Sequence, residues 1–357
     1  MRIALIRRGY SATGGAEAYL LRLASGLQNA GHKPVLITTA EWPRKNWVNE
    51  SIQTVDARSP SSFALEARRL GEACDIVFSM ERIGRCDIYR AGDGVHRAWQ
   101  ERRQNFEPRW KRWFRVINRK NRELLHLEAA TFAPDGAAFV IANSDMVRHE
   151  ILNHFAYPED RICVIRNGFD PPSANPVADK QAQCAKFGIK NADRAVVLFA
   201  GSGWERKGLR FALDAMRGMA SATLVVAGRG NWSGAVPDNV QFLGPVADMA
   251  LLLGCADVFL APTIYDPFSN ACLEALAAGL PVVTTDANGF SEIIDDGHHG
   301  SIVKVGDVPA LKSRIEHWAS ARHDANLRER CRSRAAEYSL DRNVSETLAV
   351  INRVAAR

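Results

Sequence analysis

The chain has 357 residues, 46% of them hydrophobic and 24% charged. That length is about twice a common domain, so two folded domains are expected, and the ordinary apolar and charged content excludes a disordered or low-complexity chain. The net charge of +6 is concentrated: between Arg97 and His126 ten Lys and Arg stand against three Glu, which gives +7 there and leaves −1 for the rest. The first element is a β-type run, Arg2 to Ile6, whose apolar stretch is stopped by Arg7-Arg8. It falls far short of a signal-peptide core or of the roughly 20 residues of a membrane span, so a cytoplasmic chain without a transmembrane anchor is expected. A loop ending in Gly14-Gly15 leads into Ala16, Leu20, Leu23 and Leu27 at helical spacing until Gly31. Strands follow at Val35 to Thr39, Asp75 to Ser79 and Ala138 to Asn143, with helical stretches between, the alternation of a doubly wound parallel α/β domain.

The same start recurs at Ala195 to Ala200, a β-rich run followed by a glycine-rich loop, Gly201 to Gly208, and a helix from Leu209. Further strands are expected at Thr223 to Ala227, Val240 to Leu243, Val258 to Ala261 and Val282 to Thr285, the last two flanking a helix from about Asn270 to Ala278. The breaker cluster Asn167-Gly168-Phe169-Asp170-Pro171-Pro172 through Pro176 reads as a hinge. The expected domains are 1–168, a hinge at 169–180, 181–340, and a C-terminal helix at 341–357 that packs back on the first domain. Two such domains facing each other across a cleft hold a ligand there. The seven cysteines, Cys74, Cys86, Cys163, Cys184, Cys255, Cys272 and Cys331, form no CxxC pair and no Cys/His cluster. They read as buried, reduced thiols, and no metal site is expected. His298-His299 reads as a loop pair without an acidic partner.

The stretch from Ala261 to Thr285 carries the strongest chemical signal. It places a loop with Asp266 before a helix whose first-turn amides come from Ser269, Asn270 and Ala271, a helix end suited to a phosphate. Glu274, one turn further, is in reach of a ribose diol. An isolated pair of this kind is more often a helix cap and a surface charge. Earlier, Gly201-Ser-Gly-Trp-Glu-Arg206-Lys207-Gly208 puts adjacent cations after a strand end, where they suit a departing diphosphate, Arg206 as a planar fork and Lys207 as a compact charge.

The Asp266 to Glu274 spacing, followed by Gly279-Leu280-Pro281-Val282, resembles the EX7E region of the retaining GT-B glycosyltransferases of family GT4, with Asp at the first position where most members have Glu. The glycine loop 201–208, Gly14-Gly15, Asn143-Ser144, Arg166 to Asp170 and Val226 to Gly230 follow in the family's order, so the resemblance covers nearly the full chain. It implies the GT-B fold, two Rossmann-like domains across a cleft. It also implies a nucleotide-sugar donor whose ribose meets Glu274, whose sugar hydroxyls meet Asp266, and whose diphosphate meets Gly14, Gly15, Gly201, Arg206, Lys207 and the amides of Ser269, Asn270 and Ala271. In the first domain Asp93 is suited to orient an acceptor hydroxyl or to stabilise positive charge on the sugar, and His96 to bond the donor sugar, the alternative being an ordinary turn with a satisfied Asp and a surface His. Catalytic candidates are therefore Asp93, His96, Arg206, Lys207 and Asp266. No Asp-x-Asp motif occurs, so neither metal nor cofactor is expected.

Placed at about 100° per residue, residues 109–125 read as one amphipathic helix. Trp110, Trp113, Phe114, Ile117, Leu124 and Leu125 fall on one arc, with Arg109, Lys111, Arg112, Arg115, Arg119, Lys120 and Arg122 on the rest. Such a segment suits an anionic membrane surface, as in the lipopolysaccharide-core glucosyltransferases acting on heptose. Packing of the apolar arc on the first domain is the plainer alternative, and nucleic acid is disfavoured because no recognition motif accompanies the patch. The resemblance thus implies a peripheral enzyme on the inner face of the cytoplasmic membrane, moving a hexose from a nucleotide sugar such as UDP-glucose to a lipid-linked saccharide such as the lipopolysaccharide core. A sugar-nucleotide 2-epimerase of the same fold and a basic membrane- or nucleic-acid-binding protein are the competing readings. An NAD enzyme is disfavoured, since neither glycine loop has the dinucleotide spacing.

Overall fold

The computed structural model describes residues 1–10, 15–49, 51–108, 118–170 and 180–356. Residues 171–179 of the expected hinge, Gly14 and residues 109–117 lie outside these. The chain divides into two units, Met1–Asn167 together with Leu340–Arg357, and Gly168–Ser339.

Among the described residues the first unit has seven strands: β1 (Arg2–Ile6), β2 (Lys33–Thr38), β3 (Ile52–Thr54), β4 (Ile76–Ser79), β5 (Cys86–Ala91), β6 (Ala137–Ala142) and β7 (Ile162–Val164). They pair in parallel in the order β3-β2-β1-β4-β5-β6-β7. Leu5 stands opposite Leu36 on one side and Phe78 on the other. Continuous apolar runs such as Ile3 to Ile6 suit strands covered on both faces. Helix Gly15–Asn29 buries Leu20, Leu23, Ala24 and Leu27 against the sheet. Helix Leu340–Ala355 packs on it, and Gly26 permits the approach: a Cβ there would lie 2.5 Å from Val344 Cγ1.

The second unit carries β8 (Ala195–Ala200), β9 (Ala222–Ala227), β10 (Val240–Gly244), β11 (Val258–Ala261), β12 (Val282–Thr285) and β13 (Gly300–Val303), all parallel, in the order β10-β9-β8-β11-β12-β13. Both sheets therefore reverse direction of winding once, between β1 and β4 and between β8 and β11. These are the points where open α/β sheets part their loops to admit ligands.

Strands β3, β5, β7 and β13 were not among those expected. Each is short or broken by polar residues: β5 carries Asp87, which accepts the Val77 N–H at 2.7 Å, and Arg90. Arg90 is 2% exposed, stacked 4.1 Å from the Tyr19 ring, with Nη2 donating to Asn167 Oδ1 at 2.6 Å. The single helix expected over 109–125 is corrected: a helix begins at Arg119, because Asn118 is extended and its side chain accepts the Asn121 N–H as an N-cap. All seven cysteines are free, but Cys74 and Cys163 are only half-buried, against the expectation that all are buried. Among the described residues no helix is long and apolar enough to cross a membrane.

Candidate functional site

The second unit gathers its chemistry at the carboxyl ends of β8 and β11. Gly208 ends the glycine loop with φ +73° and caps helix Leu209–Met216. A Cβ at this position would lie 1.9 Å from the Pro262 carbonyl oxygen, so only glycine lets the loop lie against the β11 end. The contact is locked by Ile264 N–H and Thr263 Oγ1, both donating to the Arg206 carbonyl, at 2.8 and 2.9 Å. Lys207 runs past Gly201 and its Nζ meets Asp266 Oδ2 at 2.6 Å and Ser269 Oγ at 3.4 Å. Arg206 Nη1 lies 4.0 Å from Asp266 Oδ1 and donates to the Tyr265 carbonyl at 3.2 Å.

Asp266 is 5% exposed. Burial alone would push its carboxyl pKa up, but the Lys207 and Arg206 charges and the Lys207 hydrogen bond hold it below the usual carboxylate range. It does not cap the helix, which disposes of the plainer reading of this residue. The cap of Asn270–Ala277 is Ser269, whose hydroxyl makes no capping bond. The positive end of that helix, with the Asn270 and Ala271 amides, thus stands beside two cations. Glu274 is half-buried one turn further on.

The sequence reading missed Asn288. It is fully buried, its Oδ1 accepts the Ser269 and Phe290 N–H groups at 3.3 and 3.1 Å, and its Nδ2 donates to Thr284 Oγ1 at 2.9 Å. Its own backbone pairs with Asp266 as an isolated bridge. Asn288 therefore fixes both the Asp266 loop and the helix start, and only its place after β12 could have pointed to it.

In the first unit the ends of β1, β4 and β5 bring Arg7 among three carboxylates: Glu81 at 3.0 Å, Glu17 at 3.4 Å and Asp93 at 3.8 Å. Burial would lower the Arg7 pKa, but Glu81, Asp93 and Glu17 raise it. Glu81 is held by Ser79, whose Oγ accepts the Glu81 N–H at 3.1 Å, and burial pushes its carboxyl pKa up despite Arg7. Asp93 stays exposed over 60% of its side chain. His96 opens helix His96–Gln104, its Nε2 2.7 Å from Asn121 Oδ1. Neither Arg7, Glu17 nor Glu81 was singled out from sequence, where each is one charge among many.

Of the basic segment, Arg119, Lys120 and Arg122 are exposed, Arg119 paired with Glu123 at 3.1 Å. Arg109, Trp110, Lys111, Arg112, Trp113, Phe114 and Arg115 lie outside the described residues, as does Gly14. Gly15 opens the first helix. The His298-His299 pair is not without an acid: His299 Nδ1 lies 3.6 Å from Asp295 Oδ2, and the ring accepts the Asp295 N–H.

Residues 13–172 match the family described as Glycosyltransferase Family 4, and residues 194–320 that described as Glycosyl transferases group 1. The chain belongs to the GT-B glycosyltransferases. The phosphatidyl-myo-inositol mannosyltransferase of Mycobacterium leprae is 37% identical to this glycosyltransferase over 155 residues, 40% of this chain and 41% of that protein. The chain spans 44% and 41% of the first two curated relatives it matches. Among solved structures, WaaG, a glycosyltransferase involved in lipopolysaccharide biosynthesis, superposes with a TM-score of 0.79 over 97% of this chain and 98% of its own, at 20% identity. HepE of Anabaena in complex with UDP-glucose gives 0.73 over 98% and 99%, at 17% identity. At such identities the likeness is one of fold.

Proposed function

We propose that this glycosyltransferase moves a hexose, glucose from UDP-glucose, with retention of configuration onto a lipid-linked saccharide of the lipopolysaccharide-core type. The observation that carries the donor half is the meeting of Arg206, Lys207 and Asp266 at the start of helix Asn270–Ala277. Two cations against one carboxylate leave positive charge beside a helix N-terminus, where a diphosphate leaving group gains negative charge as the reaction proceeds. In this reading Asp266 keeps the cations aligned and meets the sugar hydroxyls, and Glu274 takes the ribose. The bond from the anomeric carbon to the diphosphate oxygen breaks while the acceptor oxygen bonds on the same face. The acceptor proton passes to the departing phosphate oxygen.

The fold shared with HepE, solved with UDP-glucose, and with WaaG of lipopolysaccharide biosynthesis supports this choice of donor and acceptor. The exposed Arg119, Lys120 and Arg122 support docking to an anionic membrane surface. The likeness to a mannosyltransferase favours GDP-mannose as the second donor to test.

Titration with UDP-glucose, GDP-mannose and UDP-GlcNAc, read as thermal stabilisation and release of nucleoside diphosphate, tests the reading. Stabilisation by UDP-glucose alone, with release that quickens on adding a lipid-linked saccharide, is expected; silence toward all three sinks it. Catalysis should persist in a chelator, and an absolute need for Mg²⁺ or Mn²⁺ would remove the metal-free part. Cosedimentation with vesicles containing anionic lipid, lost when Arg119, Lys120 and Arg122 become Gln, tests the docking.

A further inference from the structure

Helix His96–Gln104 is capped in an unusual way. Val95, its N-cap residue, is fully buried and offers no capping group. The cap comes from Glu128 on helix Arg119–Thr131, a fully buried carboxylate whose Oε1 accepts the His96 N–H at 2.6 Å and whose Oε2 accepts the Arg97 N–H at 2.9 Å. Arg82 completes the clamp, its Nε donating to Glu128 Oε1 at 3.1 Å and its Nη2 to the Gly94 carbonyl at 2.6 Å. Burying a carboxylate is costly unless it is paired and fully bonded, and a Ser or Asn at position 95 would satisfy only one amide, that of Arg97 or Ala98. What the distant carboxylate adds is a fixed distance between the His96 backbone and helix Arg119–Thr131.

Asn121 precedes Glu128 by two helical turns, so both share one face of that helix. Its Oδ1 meets His96 Nε2 at 2.7 Å. An amide oxygen at that distance favours the tautomer with the proton on Nε2 and the lone pair on Nδ1. The Gln100 amide, 3.4 Å from Nε2, is the weaker neighbour. Burial lowers the His96 pKa against the raising effect of the Asn121 hydrogen bond, and of the charges facing the ring Arg82 and Arg103 oppose a proton while Glu128 favours one. The net lowering favours the neutral imidazole, whose Nδ1 would accept from a sugar hydroxyl in the transferase reading.

We propose that Asn121 is the positioning residue of His96, holding the ring in its Nε2–H tautomer across the gap that Glu128 and Arg82 set. This rests on the transferase reading, in which His96 meets a sugar hydroxyl. The test uses the full chain, ¹⁵N-histidine NMR with His96→Gln for assignment, and transfer from UDP-glucose to a lipid-linked saccharide. The parent should show the Nε2–H signature for His96. Asn121→Ala should lose it and lower kcat roughly 10- to 100-fold as the ring drifts from its productive position, with the donor KM held within about twofold. Asn121→Asp places a carboxylate against Nε2 and should raise the His96 pKa by about one to two units, moving the acidic limb of the rate profile upward by the same amount. An Nδ1–H signature in the parent, or an Asn121→Asp profile identical to the parent's, overturns the proposal. If no donor binds and no transfer occurs, the transferase reading falls, and the NMR arms alone still decide what Asn121 does to His96.

Discussion

The two units wind their strands in the same order and gather charge at the same topological point, yet with opposite balance. At the ends of β8 and β11 two cations, Arg206 and Lys207, meet one carboxylate, Asp266. At the ends of β1, β4 and β5 one cation, Arg7, meets three, Glu17, Glu81 and Asp93. The first arrangement has positive charge in excess for an anionic ligand. In the second the cation is paired internally, and of its three carboxylates Asp93 alone is mostly exposed. Under the proposed function, the two units would serve two ligand chemistries through the sign of their loop charges.

Under the proposed function, Arg7 acts on the protein and Arg206 on the substrate. Arg7→Ala leaves the buried Glu17 and the half-buried Glu81 without their nearest cation and should cost about 1–3 kcal/mol of stability, measured by urea unfolding. Arg206→Ala should leave the unfolding midpoint near the parent's while kcat falls about 10²- to 10³-fold, the scale for losing one preorganised donor to developing charge. If both variants lose stability and neither loses turnover selectively, the two clusters are the same kind of structural ion pair and the contrast fails.

A smaller effect separates the loops themselves. Gly9, near the end of β1, has φ +74° with nothing within 4 Å of a Cβ, whereas Gly208 has φ +73° and the Pro262 carbonyl at 1.9 Å. Gly9→Ala should cost about 1 kcal/mol for the left-handed backbone alone. Gly208→Ala should cost more, because the β11 loop must also move, and donor binding should weaken with it. Equal unfolding midpoints for the two variants would show that the second loop yields easily.

Both parallel sheets and the Asp266, Arg206 and Lys207 cluster were legible in the sequence because each rests on local pattern: apolar runs for strands buried on both faces, and motif residues at a loop between strand and helix. What was not legible depends on tertiary neighbours. Asn288 becomes a hub only because β12 delivers it beside Ser269, and Glu128 becomes a cap for a helix that ends some two dozen residues earlier in the chain. Arg90 sits in the core because Tyr19 and Asn167 make room for it, which no local pattern around it shows. The continuity expected over 109–125 breaks at Asn118 for a local reason instead, since apolar spacing was weighed without its capping capacity.

The least effect expected is on the pH dependence of stability, and there the two clusters should differ in sign. Lys207 and Arg206 hold the Asp266 pKa below its ordinary value. Between the lowered pKa and the ordinary one, near about 3.9, the unfolded chain binds more protons than the folded one, so stability rises with pH through that window and is lost as pH falls through the folded pKa. Glu81 has its pKa raised by burial. Between its ordinary pKa, about 4.3, and the raised one, the folded chain binds more protons, so its contribution falls as pH rises. Replacing Asp266 by Asn should therefore remove part of the acid-side loss below about pH 4, while Glu81→Gln should flatten a decline on the higher-pH side of that point. Urea midpoints from pH 3 to pH 7 for the two variants read both slopes. Slopes of the same sign would mean that Arg7 governs Glu81 as Lys207 governs Asp266, and the surplus of carboxylates in the first unit would then have no consequence for its ionisation.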